Sequence, residues 1–179
     1  MSIVDKAIAA VTPPESEEAR IEATRTARAA ATPGHWLAMA LDHHDEIRAA
    51  LEAALAAAPA DRPRALKRLQ LVLIGHSLAE EIVLYPALAK AHEKGHAGMA
   101  YSEQTATKMQ MAELERLDPR SKEWSEKLEH IRGALLHHMY EEEGNWFLDL
   151  KDQYADQKTL TARFAEEYNR YVGEDAKRA

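Results

Sequence analysis

The stretch HSLAEEIVLYP, residues 76–86, places His76, Glu80 and Glu81 inside an otherwise apolar run and closes on Tyr85 and Pro86. Residues four apart on a helix lie one above the other on the same face. His76 and Glu80 therefore present an imidazole nitrogen and a carboxylate oxygen to one point beside the helix. The phrase returns at residues 138–147 as HMYEEEGNWF, with His138, Glu142, Glu143, Trp146 and Phe147. The offsets from histidine to both glutamates and to the distal aromatic are identical in the two copies. Both His–Glu pairs fall on stripes of aliphatic residues: Leu66, Leu69, Leu73 and Val83 in the first, Leu128, Ile131 and Leu135 in the second. A carboxylate on such a stripe costs on the order of several kcal/mol unless it is paired or binds a metal. A single copy reads as a buried His–Glu pair. Two copies in matching register point to a metal site, because His and Glu together suit a hard or borderline cation.

Working outward, prolines and caps divide the chain. Pro13-Pro14 ends a short N-terminal segment, and Ser16 to Ala31 reads as a polar, charge-laced helix. Thr32-Pro33 reads as a helix start, Thr as cap and Pro at the first helical position. The helix that follows carries Leu37, Leu41, His44, Ile47, Leu51 and Leu55 at three- and four-residue spacing. Asp61-Arg62-Pro63 opens the next. Gly95 and Gly98 read as a loop, followed by a third helix over about Tyr101 to Leu117. Asp118-Pro119 separates it from a fourth, and a last amphipathic helix runs from about Thr159 to Val172. Four long helices with short connections predict an all-α, up-down-up-down four-helix bundle. Extra N-terminal and C-terminal helices are expected to pack on its outside. The expected divisions are 1–32, 33–150 and 151–179.

Composition narrows the function. The 179 residues carry a formal net charge of −7 and show no basic stripe, which argues against a nucleic-acid partner. The absence of cysteine excludes disulfides, thiolate zinc sites and Cys-ligated iron–sulfur clusters. It also suits a reducing compartment. No apolar run reads as long enough to span a bilayer, and MSIVDKAIAAV lacks the pattern of a signal peptide. A cytoplasmic protein is the expectation, with a homodimer plausible through the outer helices.

Other candidates surround the two His–Glu pairs. LDHHDEI offers His44 on the apolar stripe and His43 as the next-best ligand. Glu81 and Glu143 point to an adjacent helix or solvent, or else hydrogen bond to a ligating histidine. Tyr85, Trp146 and Phe147 read as core packing at the bundle's end or as a dry cap over a metal. His137 reads as structural or as a partner to a ligand. His35, His92, His96 and His130 read as surface histidines.

Through DHH (Asp42 to His44), HSLAEEIVLYP and HHMYEEEGNWF (His137 to Phe147), the chain resembles the hemerythrin-like, or HHE cation-binding, family over about Pro33 to Leu150. The resemblance implies a four-helix bundle holding a non-haem di-iron centre. It implies ligands at His44, at His76 with Glu80, and at His138 with Glu142, with the carboxylates bridging. The family also draws two histidines from helix three. Here YSEQTATKMQMAEL carries Gln104 and Lys108 near those places and no histidine.

Three arrangements follow. Gln104 or Glu103 with water completes a di-nuclear site. Alternatively, His44, His76, Glu80, His138 and Glu142 hold one ion. In the third, Lys108 replaces the metal and neutralises Glu80 and Glu142. The expected cofactor is iron, mononuclear or asymmetric di-iron, with manganese or zinc suiting the same donors. The expected function is to bind or sense O2, NO or peroxide, or to buffer iron. A ferritin-like oxidase or peroxidase and a metal-free interaction module are the alternatives.

Overall fold

In a computed structural model, which describes residues 15–91 and 94–172, the chain folds as helices, with no strand among the described residues. Pro13-Pro14 and His92 lie outside them. The elements are α1 (Glu17–Ala30), α2 (Trp36–Ala56), α3 (Arg62–Ala79), α4 (Tyr85–Lys90), α5 (Lys94–Leu114), α6 (Lys122–Glu141), α7 (Phe147–Gln153) and α8 (Gln157–Val172). Two π-helical turns, Glu80–Leu84 and Glu142–Trp146, join α3 to α4 and α6 to α7 without interrupting the helical path. The bundle is formed by α2, α3 with α4, α5, and α6 with α7. The flanking α1 packs on the second π turn, and α8 on α3 and the first π turn.

Local chemistry accounts for most boundaries. Ser16 caps α1 through a bond from the Ala19 backbone N–H, and Ser121 caps α6 through Trp124. Thr32-Pro33 does not start α2. It forms a turn closed by His35 N–H to Thr32 C=O, and Gly34 takes φ +77°, the conformation this turn needs after Pro33. α2 then begins at Trp36. Gly95 and Gly98 do not form a loop either, because α5 already begins at Lys94. Both glycines lie on its exposed side, while Ala97 and Ala100 are buried. Tertiary packing of those alanines outweighs a glycine penalty of about 1 kcal/mol per residue.

The core has two apolar halves. One gathers Trp36, Leu37, Leu41, Leu88, Trp146, Phe147 and Phe164. The other gathers Ile47, Leu51, Leu69, Trp124, Leu128, Ile131 and Leu135. The polar side chains His44, His76, Glu80, Gln104, His138 and Glu142 are buried as well. His44 on α2, His76 on α3, Gln104 on α5 and His138 on α6 fall in sequence between the two halves, and Glu80 and Glu142 open the two π turns. Each large apolar side chain contributes roughly 1.5–3 kcal/mol on burial, so the two halves together can carry a costly polar layer. The continuous helix Arg62–Lys90 is, contrary to expectation, long and apolar enough by length and composition to cross a membrane. Two-thirds of that window is buried within the fold, and the helix supplies His76 and Glu80 to the polar layer.

Gly75 sets how closely α8 approaches α3: a Cβ there would lie 2.3 Å from Val172 Cγ2. Gly133, exposed in the middle of α6, meets nothing within 4 Å. In denaturant unfolding, Gly133→Ala is expected to raise stability by about 0.5–1 kcal/mol. Gly75→Ala is expected to lower it by about 1–3 kcal/mol through overpacking. A neutral Gly75→Ala would contradict the close contact between α3 and α8.

Candidate metal centre

Four of the expected ligands converge. His44, His76, Glu80 and Glu142 each offer a ligand atom, and these atoms lie within 4.8 Å of one another, all buried. His44 Nε2 stands 3.2 Å from Glu142 Oε2, and His76 Nε2 stands 3.2 Å from Glu80 Oε1. His44 Nε2, Glu80 Oε1 and Glu142 Oε2 have no hydrogen-bond partner. Buried polar atoms are nearly always paired, and three orphans facing one point are a donor set that fits a cation. Two imidazoles and two carboxylates are borderline-to-hard ligands, suited to iron, manganese or zinc.

His138 stands on the other side of the carboxylate pair. Its Nε2 is 3.4 Å from Glu142 Oε1 and 3.1 Å from the Tyr85 hydroxyl, and its Nδ1 is 2.7 Å from Glu103 Oε2. Glu103 thus engages His138 and is not among the convergent atoms. Gln104 donates from Nε2 to Glu80 Oε2 and to the Tyr85 oxygen, each at 2.6 Å. Tyr85 is more than packing: its hydroxyl lies 2.9 Å from Glu142 Oε1 and 3.2 Å from Glu80 Oε2. The π turn brings it there. An α-helical step of five residues carries a side chain to a different face, whereas the i→i+5 bond from Tyr85 N–H to Glu80 C=O widens the turn. The widened turn sets Tyr85 over Glu80. Phe147, Tyr85's counterpart in the second copy, stacks on His44 with ring centroids 5.7 Å apart.

Lys108 does not neutralise Glu80 and Glu142. Its side chain is 42% exposed and donates to Glu81 at 2.6 Å; a flexible four-carbon stem lets the ammonium reach water. Glu81 is consumed by that pair. Glu143 behaves differently, lying 2.7 Å from His44 Nδ1 and accepting from Arg48 at 2.7 Å and from Thr24 of α1. That contact fixes the His44 ring so that Nε2 faces the other ligands. His43 lies outside the quartet, stacked on Tyr168 of α8 at 3.6 Å and edge-on to His76 at 5.7 Å. His137 reaches Glu15 at 2.7 Å and ties the start of the described chain to α6. Thr24 and Tyr168 left no signal in the sequence, since each sits on a flanking helix whose polar face looked solvated.

Without a metal, the charges are divided unevenly. Burial, with Glu142 alongside, pushes the Glu80 carboxyl well above the usual range. Burial also opposes ionisation of Glu142, but His138 and His44 hold its pKa below that range. Against the burial penalty, Glu142, Glu103 and Glu80 raise His138 to about 9. Burial drives His76 well below its ordinary value, helped by His44, His43 and His138. Burial works against Glu143, yet His44 and Arg48 bring it down to about 2. Two adjacent carboxylates cannot both ionise freely in such a site. A divalent cation would remove that conflict.

A DNA nickase from Nostoc sp. is 24% identical over 87 residues, which cover 49% of this chain and 25% of the nickase. The chain thus matches about a quarter of the length of this curated relative. No solved structure matches the chain. The model of the hemerythrin HHE cation-binding domain matches residues 37–149, from the first turn of α2 to α7, and so takes in all four convergent residues. The chain belongs to the hemerythrin HHE cation-binding family.

Proposed function

We propose that the protein binds iron through His44, His76, Glu80 and Glu142 and uses it to bind or sense a small ligand such as O2, NO or peroxide. The observation that carries this reading is the set of three orphaned, fully buried ligand atoms that face one another. Four protein donors would close a tetrahedral zinc site, whereas iron in a higher-coordinate geometry keeps positions open for an added ligand. When bound, the metal supplies a Lewis-acidic and, as iron, a redox-active centre.

The chain's own residues do the rest. Glu143 orients His44, the aliphatic halves keep bulk water out, and His76 borders a cavity. That cavity, about 20 Å³, is walled by Ile47, Leu73, Leu135 and Met139, with His76, Gln104 and His138 also lining it. A water needs roughly 10–15 Å³ of such space, so a diatomic molecule fits and a larger organic substrate does not. That size limit favours ligand binding over turnover of an organic substrate.

The protein loaded anaerobically with Fe(II) is expected to give a new absorption spectrum on addition of NO. His44→Leu and Glu142→Gln are expected to abolish stoichiometric iron retention. Glu143→Ala is expected to weaken it by about 10–100-fold, the usual effect of removing a ligand's orienting partner. Leu135→Trp, which fills the cavity, is expected to slow NO binding without loss of iron. Wild-type protein that retains no iron, manganese or zinc after loading would overturn the reading.

A further inference from the structure

We infer that the centre holds one metal ion per chain, and that Tyr85 and Gln104 occupy the place a second ion would take. The inference rests on the metal-binding reading above and specifies it. The two copies of the sequence phrase build two halves around a shared carboxylate pair. In one half stand His44, His76 and Phe147; in the other, at matching offsets along the repeated phrase, stand His138 and Tyr85, with Gln104 of α5 beside them. Each carboxylate turns one oxygen to each half, as bridging carboxylates do.

The two halves differ in how those oxygens are satisfied. On the His44 side, Glu80 Oε1, Glu142 Oε2 and His44 Nε2 are orphans. Phe147, which carries no polar atom, stacks on His44. On the His138 side, Glu80 Oε2 accepts from Gln104 at 2.6 Å, and Glu142 Oε1 lies 2.9 Å from the Tyr85 hydroxyl. That hydroxyl is also 3.1 Å from His138 Nε2 and takes the second Gln104 contact at 2.6 Å. These are ordinary hydrogen-bond distances.

The chemistry of the groups points the same way. Gln104 aims an amide NH2, which has two donors and no lone pair to give, at the carboxylate and the phenol. Turning the amide over would set its oxygen against Glu80 Oε2. His138 Nε2 already faces the Tyr85 hydroxyl at 3.1 Å, with Nδ1 held by Glu103 as His44 Nδ1 is by Glu143. A second cation would therefore have to displace the Tyr85 hydroxyl and break both Gln104 bonds. At the level of the carboxylates it would find only the Gln104 amide on α5, because that helix's histidine, His96, lies about two turns earlier and stacks on Trp146.

Metal counting tests this. Full-length protein is loaded with excess Fe(II) or Co(II), freed of unbound metal, and analysed for metal and protein. One ion per chain is expected. Two ions per chain would overturn the inference and leave the metal-binding reading intact, whereas none would remove both. The double variant Y85F/Q104H makes the second half chemically like the first and is expected to bind two. A folded double variant, judged by helical circular dichroism, that still binds one would refute the roles of Tyr85 and Gln104. In the ferric wild-type protein no phenolate-to-iron absorption band is expected. A band that Y85F abolishes would make Tyr85 a ligand and contradict the account.

Discussion

Two carboxylates, Glu80 and Glu142, lie fully buried across the middle of a helical bundle, and the surrounding structure answers the cost of putting them there. Moving a carboxylate out of water costs several kcal/mol even after relaxation, unless charge and hydrogen bonds compensate. On one side both carboxylates have hydrogen-bonding neighbours in Tyr85 and Gln104, with His138 close by, although the Gln104 amide oxygen itself has no partner. On the other side Glu80 Oε1 and Glu142 Oε2 face only the imidazoles of His76 and His44 at 3.2 Å, without an aligned hydrogen bond. A fold does not keep three such orphans for packing alone. Their arrangement is preorganised for a cation, and the apolar halves above and below supply the stability that this strained layer draws upon.

The helices outside the matched family region take part in holding the site. From α1, Thr24 donates to Glu143, which fixes His44. From α8, Tyr168 stacks on His43, whose edge meets His76. Both histidines of the convergent group are thus braced from flanking elements that contribute no residue to it. Gly75 permits the α8 side of this brace by letting Val172 approach α3. Arg28 of α1 adds surface ion pairs to Asp42 and Asp45, but at such exposure these contribute little. The half-buried contacts through Thr24 and Tyr168 matter more to ring orientation.

Much of this was legible in the sequence. The apolar stripes through Leu41, Leu73 and Leu135 foretold the bundle, and the four-residue spacing of His76 and Glu80 placed them on one face. Tyr85 was legible as packing, as a cap or as a partner to the ligands, but not its reach to both carboxylates, because α-helical periodicity turns a residue five beyond Glu80 to another face. Only the π turn reverses that, and nothing in the composition of EEIVL announces it. Lys108 stands one helical turn beyond Gln104, but the residue is exposed and its side chain runs to Glu81 and not to Glu80 and Glu142. The misplaced helix starts at Thr32-Pro33 and after Gly98 came from local signals that tertiary packing overrode. The asymmetry of the centre was legible only in helix three, where Gln104 stands near the place of an expected histidine; the repeat itself reads as symmetric, and the difference between Tyr85 and Phe147 takes its meaning from the structure.

X-ray absorption on the metal-loaded wild-type protein tests the central claim most directly, because it reads the ligand set and any neighbouring ion together. The account predicts a shell of nitrogen and oxygen only, with outer-shell scattering from two imidazoles and no metal–metal vector. Scattering from three or more imidazoles, or from a second metal at about 3.5–4 Å, would contradict it.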